Sequence, residues 1–302
     1  MDSTNHEPVL LQESVELLVA AQPHGGATYV DATFGDGGHA HVILDRVRAC
    51  RLVALDRDPQ AVARASALSK EYAGRLVAIH ANFADLATVL DGLGIELVAG
   101  VIFDLGLSSR QLSAWGRGFS FAVDQPLDMR FDPTRGPSAA ELLATSSEEQ
   151  IAAIIDRYGD ERFARRIARR IVDRRRLAPL RSTADLVAAI RGAVVMPPHR
   201  RGRIHFATRT FMALRMAVND EERSLELGLD AACRRTRPGG RVAAISFHSG
   251  EDRIVKREFR NWERDGRAAV LTKKAIQPSR GEVAANPRSR SGRLRAVTIK
   301  EG

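Results

Sequence analysis

Y-V-D-A-T-F-G-D-G-G-H, residues Tyr29–His39, is the stretch that decides the fold. Apolar residues lead into Asp31, and three glycines follow within four positions. Glycine suits a backbone that needs positive φ or that a ligand approaches closely. Helical spacing of apolar residues in Ala40–Val47 completes a strand, turn and helix. This order predicts a nucleotide-like ligand at the carboxyl end of the first strand of an open α/β sheet. The alternative is an ordinary connection in which glycine serves only the turn.

Apolar segments separated by helical patterns predict the strands of a parallel sheet. These segments are Thr28–Ala32, Arg51–Leu55, Arg75–Ile79 and Leu97–Phe103. The next apolar segment, Arg241–Phe247, begins 137 residues after Asp104. A crossover between parallel strands needs only about 30 residues. We therefore predict an inserted α-helical domain over residues 112–217, within a sheet domain formed by 1–111 and 218–302.

The chain is expected to end in an antiparallel pair of strands. The apolar segments Ala268–Lys273 and Leu294–Lys300 predict this pair, with a long loop between them. Part of the loop, Gly281–Gly292, is polar and basic, so we expect it to be mobile without a partner.

Charge divides the chain sharply. Residues 1–150 hold 11 Lys and Arg against 20 Asp and Glu, whereas residues 151–302 hold 35 against 17. The net charges are −9 and +18, which give the total of +9. A basic half of this size predicts a polyanionic partner. The backbone phosphates of such a partner are expected to contact the arginines of the insert and of the C-terminal loop: Arg165, Arg166, Arg169, Arg170, Arg200, Arg201, Arg288, Arg290 and Arg293.

Several classes of protein are disfavoured. The sequence has no apolar run long enough for a membrane span, and its first residues do not form a signal peptide. Cys50 and Cys233 are too few for a disulfide framework, so we expect packing residues in a reducing cytoplasm. No spacing of His, Cys, Asp or Glu indicates a metal site, and the sequence leaves a homodimer open.

Two cofactors fit the glycine turn. Gly35–Ala40 satisfies G-x-G-x-x-A, and Asp56 follows Gly35 by 21 residues, where an acid can accept hydrogen bonds from a ribose diol. A dinucleotide is therefore one candidate. S-adenosyl-L-methionine is favoured, because Asp31 could meet its cationic amino group and because Asp36 would repel a pyrophosphate.

Further motifs lie along almost the whole chain, from about His6 to Arg295. They are D-A-T-F-G-D-G-G-H, A-L-D-R-D-P, D-L-G-L-S-S-R-Q-L, R-G-F-S-F with P-L-D-M-R, Y-G-D-E-R-F-A-R-R-I-A, I-S-F-H-S-G-E-D-R-I-V-K and N-P-R-S-R-S-G-R-L-R. In this order they resemble the bacterial small-subunit ribosomal RNA cytosine-N4 methyltransferase family, methyltransferase H. The resemblance implies a class I S-adenosylmethionine-dependent methyltransferase, a Rossmann-like open sheet with an inserted α-helical domain.

The resemblance also implies a substrate and a set of contacts. The substrate would be a cytosine in the decoding region of 16S rRNA in the small ribosomal subunit. The cofactor contacts, carried over by position, would be Gly37, Gly38, His39, Asp56, Phe83, Asp104 and Gln111, with Phe83 against the adenine.

Methylating an exocyclic amine requires a hydrogen-bond acceptor, because the lone pair of that amine is delocalised into the ring. Amino-methyltransferases commonly place an Asp/Asn-Pro-Pro-aromatic tetrad after strand four. Here Asp104-Leu105-Gly106-Leu107 occupies that position and lacks both the prolines and the aromatic residue. Asp104 is thus the catalytic candidate, acting on the amine, on the cofactor or on both. Ser246 and His248, after strand five, could line the same pocket.

Stacking residues for the target base would be aromatic. Phe247, Trp115 and Phe119 are the candidates, although core packing is the more common role for each. Two other functions remain as alternatives: an NAD(P)-linked oxidoreductase, and a non-catalytic RNA-binding or assembly factor that retains a cofactor fold.

Overall fold

The computed structural model describes residues 8–20, 26–194 and 205–301. The chain divides into two compact units. The sheet unit contains the residues up to Gly106 and those from Glu222 onward, and the helical unit is Leu107–Glu221.

The sheet unit is built on a seven-stranded sheet in the order β3-β2-β1-β4-β5-β7-β6. The strands are β1 Thr28–Asp31, β2 Arg51–Asp56, β3 Leu76–His80, β4 Val98–Asp104, β5 Thr236–Ser246, β6 Ala268–Val270 and β7 Arg293–Ile299. The pairs among β1 to β5 are parallel, and β7 runs antiparallel to both β5 and β6. This is a doubly wound α/β sheet, as the sequence predicted, including the antiparallel pair at the C-terminus.

The α-helices are α1 Leu11–Val19, α2 Gly38–Arg46, α3 Pro59–Ser69, α4 Leu86–Gly92, α5 Ser109–Ser113, α6 Ala139–Thr145, α7 Glu148–Gly159, α8 Ala164–Leu177, α9 Thr183–Arg191, α10 Thr208–Asn219, α11 Glu221–Arg235, α12 Ser249–Arg264 and α13 Arg280–Ala285. Apolar side chains on the two faces of the sheet form two separate buried clusters, one around Phe103 and Trp262 and the other around Tyr29 and Ile43. Strands β1, β2 and β4 are buried on both sides over most of their length, which explains their nearly continuous apolar sequences.

Strand β5 begins earlier than the sequence suggested. We expected its start at Arg241, but the strand begins at Thr236. Thr236 pairs with Val98 and Arg241 with Gly100, so five residues of β5 match two of β4. The Pro-Gly-Gly sequence at Pro238 therefore lies in an irregularity of the strand, where its missing N–H and small side chains are tolerated.

The stretch Gly281–Gly292 has regular backbone structure, and its mobility without a partner stays a prediction. This stretch forms most of α13 and a 3-10 helix, Pro287–Ser291. Ser279 and Asn286 each cap a helix start with their side chains, and the hydroxyl of the fully buried Ser289 donates to the Asn286 carbonyl at 2.8 Å. These local hydrogen bonds give the polar sequence an ordered backbone.

The helical unit has its own apolar core. Ser138, Ser147 and Ser182 start α6, α7 and α9 with reciprocal capping boxes. Its bounds are wider than the insert of 112–217 proposed from the sequence, because Leu107 packs on its core at one end and α10 continues to Asn219 at the other. Gln111 consequently belongs to the helical unit rather than to the sheet unit.

Two expectations from composition concern membrane spans and the two cysteines. Within residues 8–20, 26–194 and 205–301, no helix is both long enough and apolar enough to cross a bilayer. Cys50 and Cys233 are free and buried, consistent with packing residues.

A buried ion pair fastens α12 to β7. The carboxylate of Asp252 accepts from Arg295 Nε at 2.7 Å and Nη2 at 3.2 Å, and from Arg293 Nη1 at 3.0 Å. Burial opposes the charged form, but the hydrogen bonds from both guanidinium groups hold the pKa of Asp252 below its usual value. Removing one partner would leave the buried guanidinium of Arg295 without its counter-ion.

We therefore predict that Asp252→Asn lowers the free energy of unfolding by about 3 kcal/mol, because an uncompensated buried charge remains. Urea unfolding followed by tryptophan emission measures this change, since the buried Trp262 lies on the same helix. Asp230→Asn is the matched control. It breaks an exposed ion pair with Arg234 on α11, and the expected loss is below about 1 kcal/mol. Equal losses in the two variants would contradict the structural role of Asp252.

Candidate active site at the carboxyl edge of the sheet

Three aspartates end neighbouring strands at the same edge of the sheet. Asp31 ends β1, Asp56 ends β2 and Asp104 ends β4, and β1 lies between the other two strands. Parallel pairing brings these carboxyl ends together. The backbone N–H of Asp104 donates to Thr33 Oγ1 at 2.6 Å, which connects β4 to the turn that follows β1.

The glycines of that turn are required by its geometry. Gly35 and Gly37 have φ of +55° and +83°, and Gly37 precedes α2 with no side chain capping the helix. A Cβ on Gly37 would lie 2.6 Å from the ring of Phe34, and one on Gly38 would lie 2.2 Å from Pro8. The turn is thus packed from both sides, and its glycines expose backbone at the start of a helix, where N–H groups lack partners within the helix.

Asp56 organises the same turn from the neighbouring strand. Its Oδ2 accepts from the Gly35 N–H at 2.7 Å, and its Oδ1 accepts from the Asp58 N–H at 2.8 Å. Burial raises the pKa of Asp56 in spite of these bonds. Each carboxylate oxygen can accept more than one hydrogen bond, so Asp56 can hold the turn and still accept from a diol.

Asp31, His39 and Asp104 carry polar atoms that are buried and lack a partner among the described residues. The atoms are Asp31 Oδ2, His39 Nε2 and Asp104 Oδ1. His39 Nδ1 lies 3.7 Å from Asp104 Oδ2, and the Thr33 N–H donates to the other oxygen of Asp31 at 3.1 Å. Buried polar atoms without partners are costly, which makes this cluster a candidate binding site.

The protonation states follow from burial. Burial raises the pKa of Asp31 to about 7, although the hydrogen bond from the Thr33 N–H lowers this pKa by a smaller amount. Burial, followed by the charges of Asp31 and Glu251, raises the pKa of Asp104 well above its usual value. Burial lowers the pKa of His39 to about 4, so its imidazole is neutral near pH 7. Two carboxyl groups that resist ionisation would be stabilised as anions by a cationic ligand and destabilised by a pyrophosphate.

Phe83 has a packing role that sequence reasoning left open. It lies in the 3-10 helix Phe83–Asp85 after β3, with its ring edge-to-face against Phe103 at a centroid distance of 5.6 Å. A Cβ on Gly228 would come within 2.7 Å of the Phe83 ring. The ring is partly exposed, so contact with an adenine stays a prediction.

Gln111 has a defined local role in the helical unit. Its backbone N–H donates to Ser108 Oγ at 3.2 Å, and its Oε1 accepts from the Ser108 N–H at 3.1 Å. The side chain therefore caps α5, and a contact between Gln111 and the cofactor stays a prediction.

Ser246 and His248 both make hydrogen bonds within the fold, Ser246 to β7 and His248 at the start of α12. The Ser246 hydroxyl donates to the Arg293 carbonyl at 3.3 Å. His248 Nδ1 accepts from the Glu251 N–H at 3.3 Å, and its Nε2 lies 3.1 Å from Glu251 Oε1. This capping box was missed from the sequence, although the three-residue spacing of His248 and Glu251 could have indicated it. A catalytic role for either residue stays a prediction.

Among the aromatic candidates, the structure separates exposed from buried rings. Phe119 is buried in the core of the helical unit, whereas Trp115 is 73% exposed, contrary to the packing role that is usual for tryptophan. Phe247 is partly exposed and lies against Gly106, where a Cβ would come within 3.3 Å of its ring.

The arginines selected from the sequence fall into different environments. On α8, Arg165, Arg166, Arg169 and Arg170 are exposed, opposite a buried stripe that includes Ile167 and Ile171. Arg288 and Arg290 are also exposed, whereas Arg293 forms an ion pair with Asp252 through its Nη1 atom. Arg200 and Arg201 lie outside the described residues.

Comparison with known proteins decides the family. The MraW methylase family matches residues 3–300. The chain belongs to this family. A ribosomal RNA small subunit methyltransferase H of Thermomicrobium roseum is 46% identical, with 98% of this chain and 94% of that protein covered. The protein of the same name from Symbiobacterium thermophilum is also 46% identical, with coverages of 97% and 96%. Membership in a methylase family argues against the oxidoreductase alternative and agrees with the acidic character of the site.

A test of this methylase site uses the raised pKa of Asp31. We predict that affinity for S-adenosylhomocysteine increases from about pH 5 to about pH 7, because the Asp31 carboxyl must lose its proton to pair with the ligand's ammonium group. Asp31→Asn should weaken binding at neutral pH by at least about tenfold, as expected when a charged hydrogen bond is removed, and should flatten this pH dependence. Calorimetric titration measures both effects.

The matched control is Asp45→Asn, since Asp45 lies on α2, the helix that follows the glycine turn, but accepts a hydrogen bond from the Tyr72 hydroxyl. It should retain the pH dependence of the unmodified protein. An Asp31→Asn variant with the same pH dependence as the unmodified protein would rule out an ion pair between Asp31 and the ligand.

Proposed function

We propose that this methylase transfers the methyl group of S-adenosylmethionine to the exocyclic N4 amine of a cytosine in the decoding region of 16S rRNA. The observation that carries the proposal is Asp104, a partly buried carboxyl at the end of β4 whose buried Oδ1 lacks a partner among the described residues. The names of the relatives support small-subunit ribosomal RNA as the substrate.

The acidic cluster fits the cofactor chemically. Asp31 would pair with the ammonium group of the methionine portion, Asp56 would accept from the ribose hydroxyls, and the turn of Gly35, Gly37 and Gly38 would allow close approach to the backbone. The bound cofactor supplies a methyl group on a cationic sulfur. The dinucleotide interpretation has no comparable fit, because Asp31 and Asp104 would face phosphate charge.

Asp104 would act on the target amine. Its pKa is raised mainly by burial, so a nearby cation would lower that pKa and favour the carboxylate. The carboxylate would then accept a hydrogen bond from the amine N–H and concentrate the lone pair on nitrogen. As the new N–C bond forms and the S–C bond breaks, the amine must lose one proton. A carboxylate with a raised pKa is suited to take it.

The tetrad position of this chain lacks an aromatic residue, and an aromatic side chain from another strand end could replace it. Phe247 follows β5, and its partly exposed ring lies beside Gly106, the third residue of the tetrad position. We propose that Phe247 stacks on the target base, which must leave its RNA structure to be methylated. Gly106 has φ of +104° and no side chain, which leaves room for this ring.

The RNA backbone would contact the exposed arginines of α8 and the exposed Arg288 and Arg290. Contacts with phosphates position an RNA without reading its sequence, so we propose that the assembled small subunit is recognised by shape. An enzyme with this substrate would act in the cytoplasm. A homodimer is compatible with the proposal but is not required by it.

The central test is transfer of a labelled methyl group to small subunits that lack the modification, followed by nuclease mapping of the labelled base. Transfer to a cytosine N4 of 16S rRNA is the expected result. Tight binding of S-adenosylhomocysteine without any transfer would instead favour the alternative of a non-catalytic RNA-binding factor. Binding of NADH in a parallel titration would refute the cofactor assignment.

Asp104 should be essential for turnover. We predict that Asp104→Ala abolishes methyl transfer and that Asp104→Asn lowers kcat by at least about a hundredfold, because the amide cannot take the proton. Affinity for S-adenosylhomocysteine should fall much less in Asp104→Asn. Single-turnover methyl transfer and calorimetry make the comparison. Wild-type rates in either variant would show that the base is elsewhere.

The arginines of α8 should act on substrate binding alone. We predict that Arg169→Ala combined with Arg170→Ala raises KM for small subunits and reduces the salt dependence of binding by about one unit of slope for each phosphate that the protein no longer neutralises. The value of kcat should stay unchanged. A double variant of Arg264 and Arg267 to Ala is the control, since these residues form exposed ion pairs with Asp265 in the sheet unit. Identical salt slopes in the two double variants would argue against the assignment.

A further inference from the structure

One loop of the helical unit is organised by a buried glutamine. Gln125 is only 6% exposed, and its Oε1 accepts from the N–H groups of Gly116 at 3.0 Å and Gly118 at 3.1 Å. Its Nε2 donates to the Ser120 carbonyl at 2.7 Å. We call residues 115–125 the Gln125 loop. The side chain of Gln125 satisfies three backbone groups of the loop, which fixes its shape in advance of any binding.

The Gln125 loop is also fastened to the start of α9. The Gln125 N–H donates to Thr183 Oγ1 at 3.2 Å, and the Thr183 N–H donates back to the Gln125 carbonyl at 2.9 Å. Asp124 accepts from the Ala184 N–H at 2.9 Å, so the only acid in the loop is used in capping the helix. These bonds attach the C-terminal end of the loop to a helix, while the Gln125 side chain holds its N-terminal end.

This ordered loop presents apolar side chains to solvent. Trp115 is 73% exposed and Val123 is 64% exposed. The other tryptophan of the chain, Trp262, is 1% exposed in the core of the sheet unit. An exposed tryptophan on a fixed backbone is unusual, because burial of so large a side chain is favourable. The exposure therefore indicates a ligand for the indole face.

Size and charge favour a nucleobase over a protein. A stable protein interface buries about 800 Å² on each side, and the surface of one indole and one valine is much smaller than that. Residues 107–221 contain 20 Arg against 13 Asp and Glu. Two exposed arginines bond through their backbone carbonyls to residues just before and just after the loop. The Arg110 carbonyl accepts from the Ala114 N–H at 2.7 Å, and the Arg181 carbonyl accepts from the Leu127 N–H at 2.9 Å. An unpaired nucleobase matches these features, because it is a flat, weakly polar ring within a polyanion.

We propose that Trp115 is a stacking site for an unpaired nucleobase of the RNA substrate, held ready by the Gln125 loop. The proposal rests on the proposed function and adds a contact with a base to the phosphate contacts made by arginines. Stacking on a π-face is tolerant of base identity, so the site contributes affinity and orientation.

Kinetics distinguish stacking from phosphate contacts. Trp115→Ala should raise KM for unmethylated small subunits by about tenfold, as expected when one base is no longer stacked, and Trp115→Phe should recover part of the affinity. The salt slope, kcat and affinity for S-adenosylhomocysteine should not change. Leu177→Ala is the matched control, because Leu177 is 90% exposed in the same unit and should have no effect. An unchanged KM in Trp115→Ala overturns the proposal.

Fluorescence reports the contact directly. In a Trp262→Phe background, Trp115 is the only tryptophan, and oligocytidylate should quench its emission at low ionic strength. If that variant does not fold, acrylamide quenching of the unmodified protein serves instead, because acrylamide reaches Trp115 but not the buried Trp262. Added oligocytidylate should then protect the Trp115 emission from acrylamide. The emission could instead be unchanged by RNA but change with protein concentration, while light scattering shows dimers. That result would assign Trp115 to a homodimer contact and overturn the proposal.

The two proposals fail in different ways. Active methyl transfer with Trp115 insensitive to RNA would refute the stacking site and leave the function standing. Quenching by oligocytidylate without methyl transfer to small subunits would refute the function and support the stacking site.

Discussion

Two carboxyl groups, the buried Asp31 and the partly buried Asp104, end adjacent strands, and each has a buried oxygen without a partner among the described residues. Burial makes their ionisation costly, and the charge of Asp31 raises that cost further for Asp104. A sheet gains nothing from such an arrangement in its own stability. A cationic ligand at this edge would make the arrangement favourable, so the proposed site and its ligand would be electrostatically interdependent.

The surroundings of these carboxyl groups are built from short, specific contacts. Asp56 fixes the glycine turn through the Gly35 N–H, and Thr33 receives the backbone N–H of Asp104. Each contact joins neighbouring strands at the edge where they end. A displacement of one strand end would therefore move the turn and the catalytic candidate together. The cost of holding buried acids is offset by extensive apolar packing on both faces of the sheet.

The arginines of the basic half divide between exposed and structural roles. On α8 the apolar stripe that includes Ile167 and Ile171 is buried, and the arginines of the opposite face are exposed. Other arginines, including one on α8 itself, are structural. Arg295 is buried against Asp252, and Arg175 donates to the Ser146 carbonyl at 2.6 Å. Charge alone thus does not identify an RNA contact, because a guanidinium can equally satisfy a buried acceptor.

The sequence alone determined the order of strands and helices, the place of the helical insertion and the acids at the strand ends, since apolar periodicity and glycine spacing are local properties of the chain. Tertiary structure decided what those patterns cannot encode. The pairing of Arg293 with Asp252, the packing of Phe83 on Phe103 and the exposure of Trp115 all depend on which distant groups come within reach. A hydrogen bond or a buried charge is defined by its partner, and that partner is fixed only when the chain has folded.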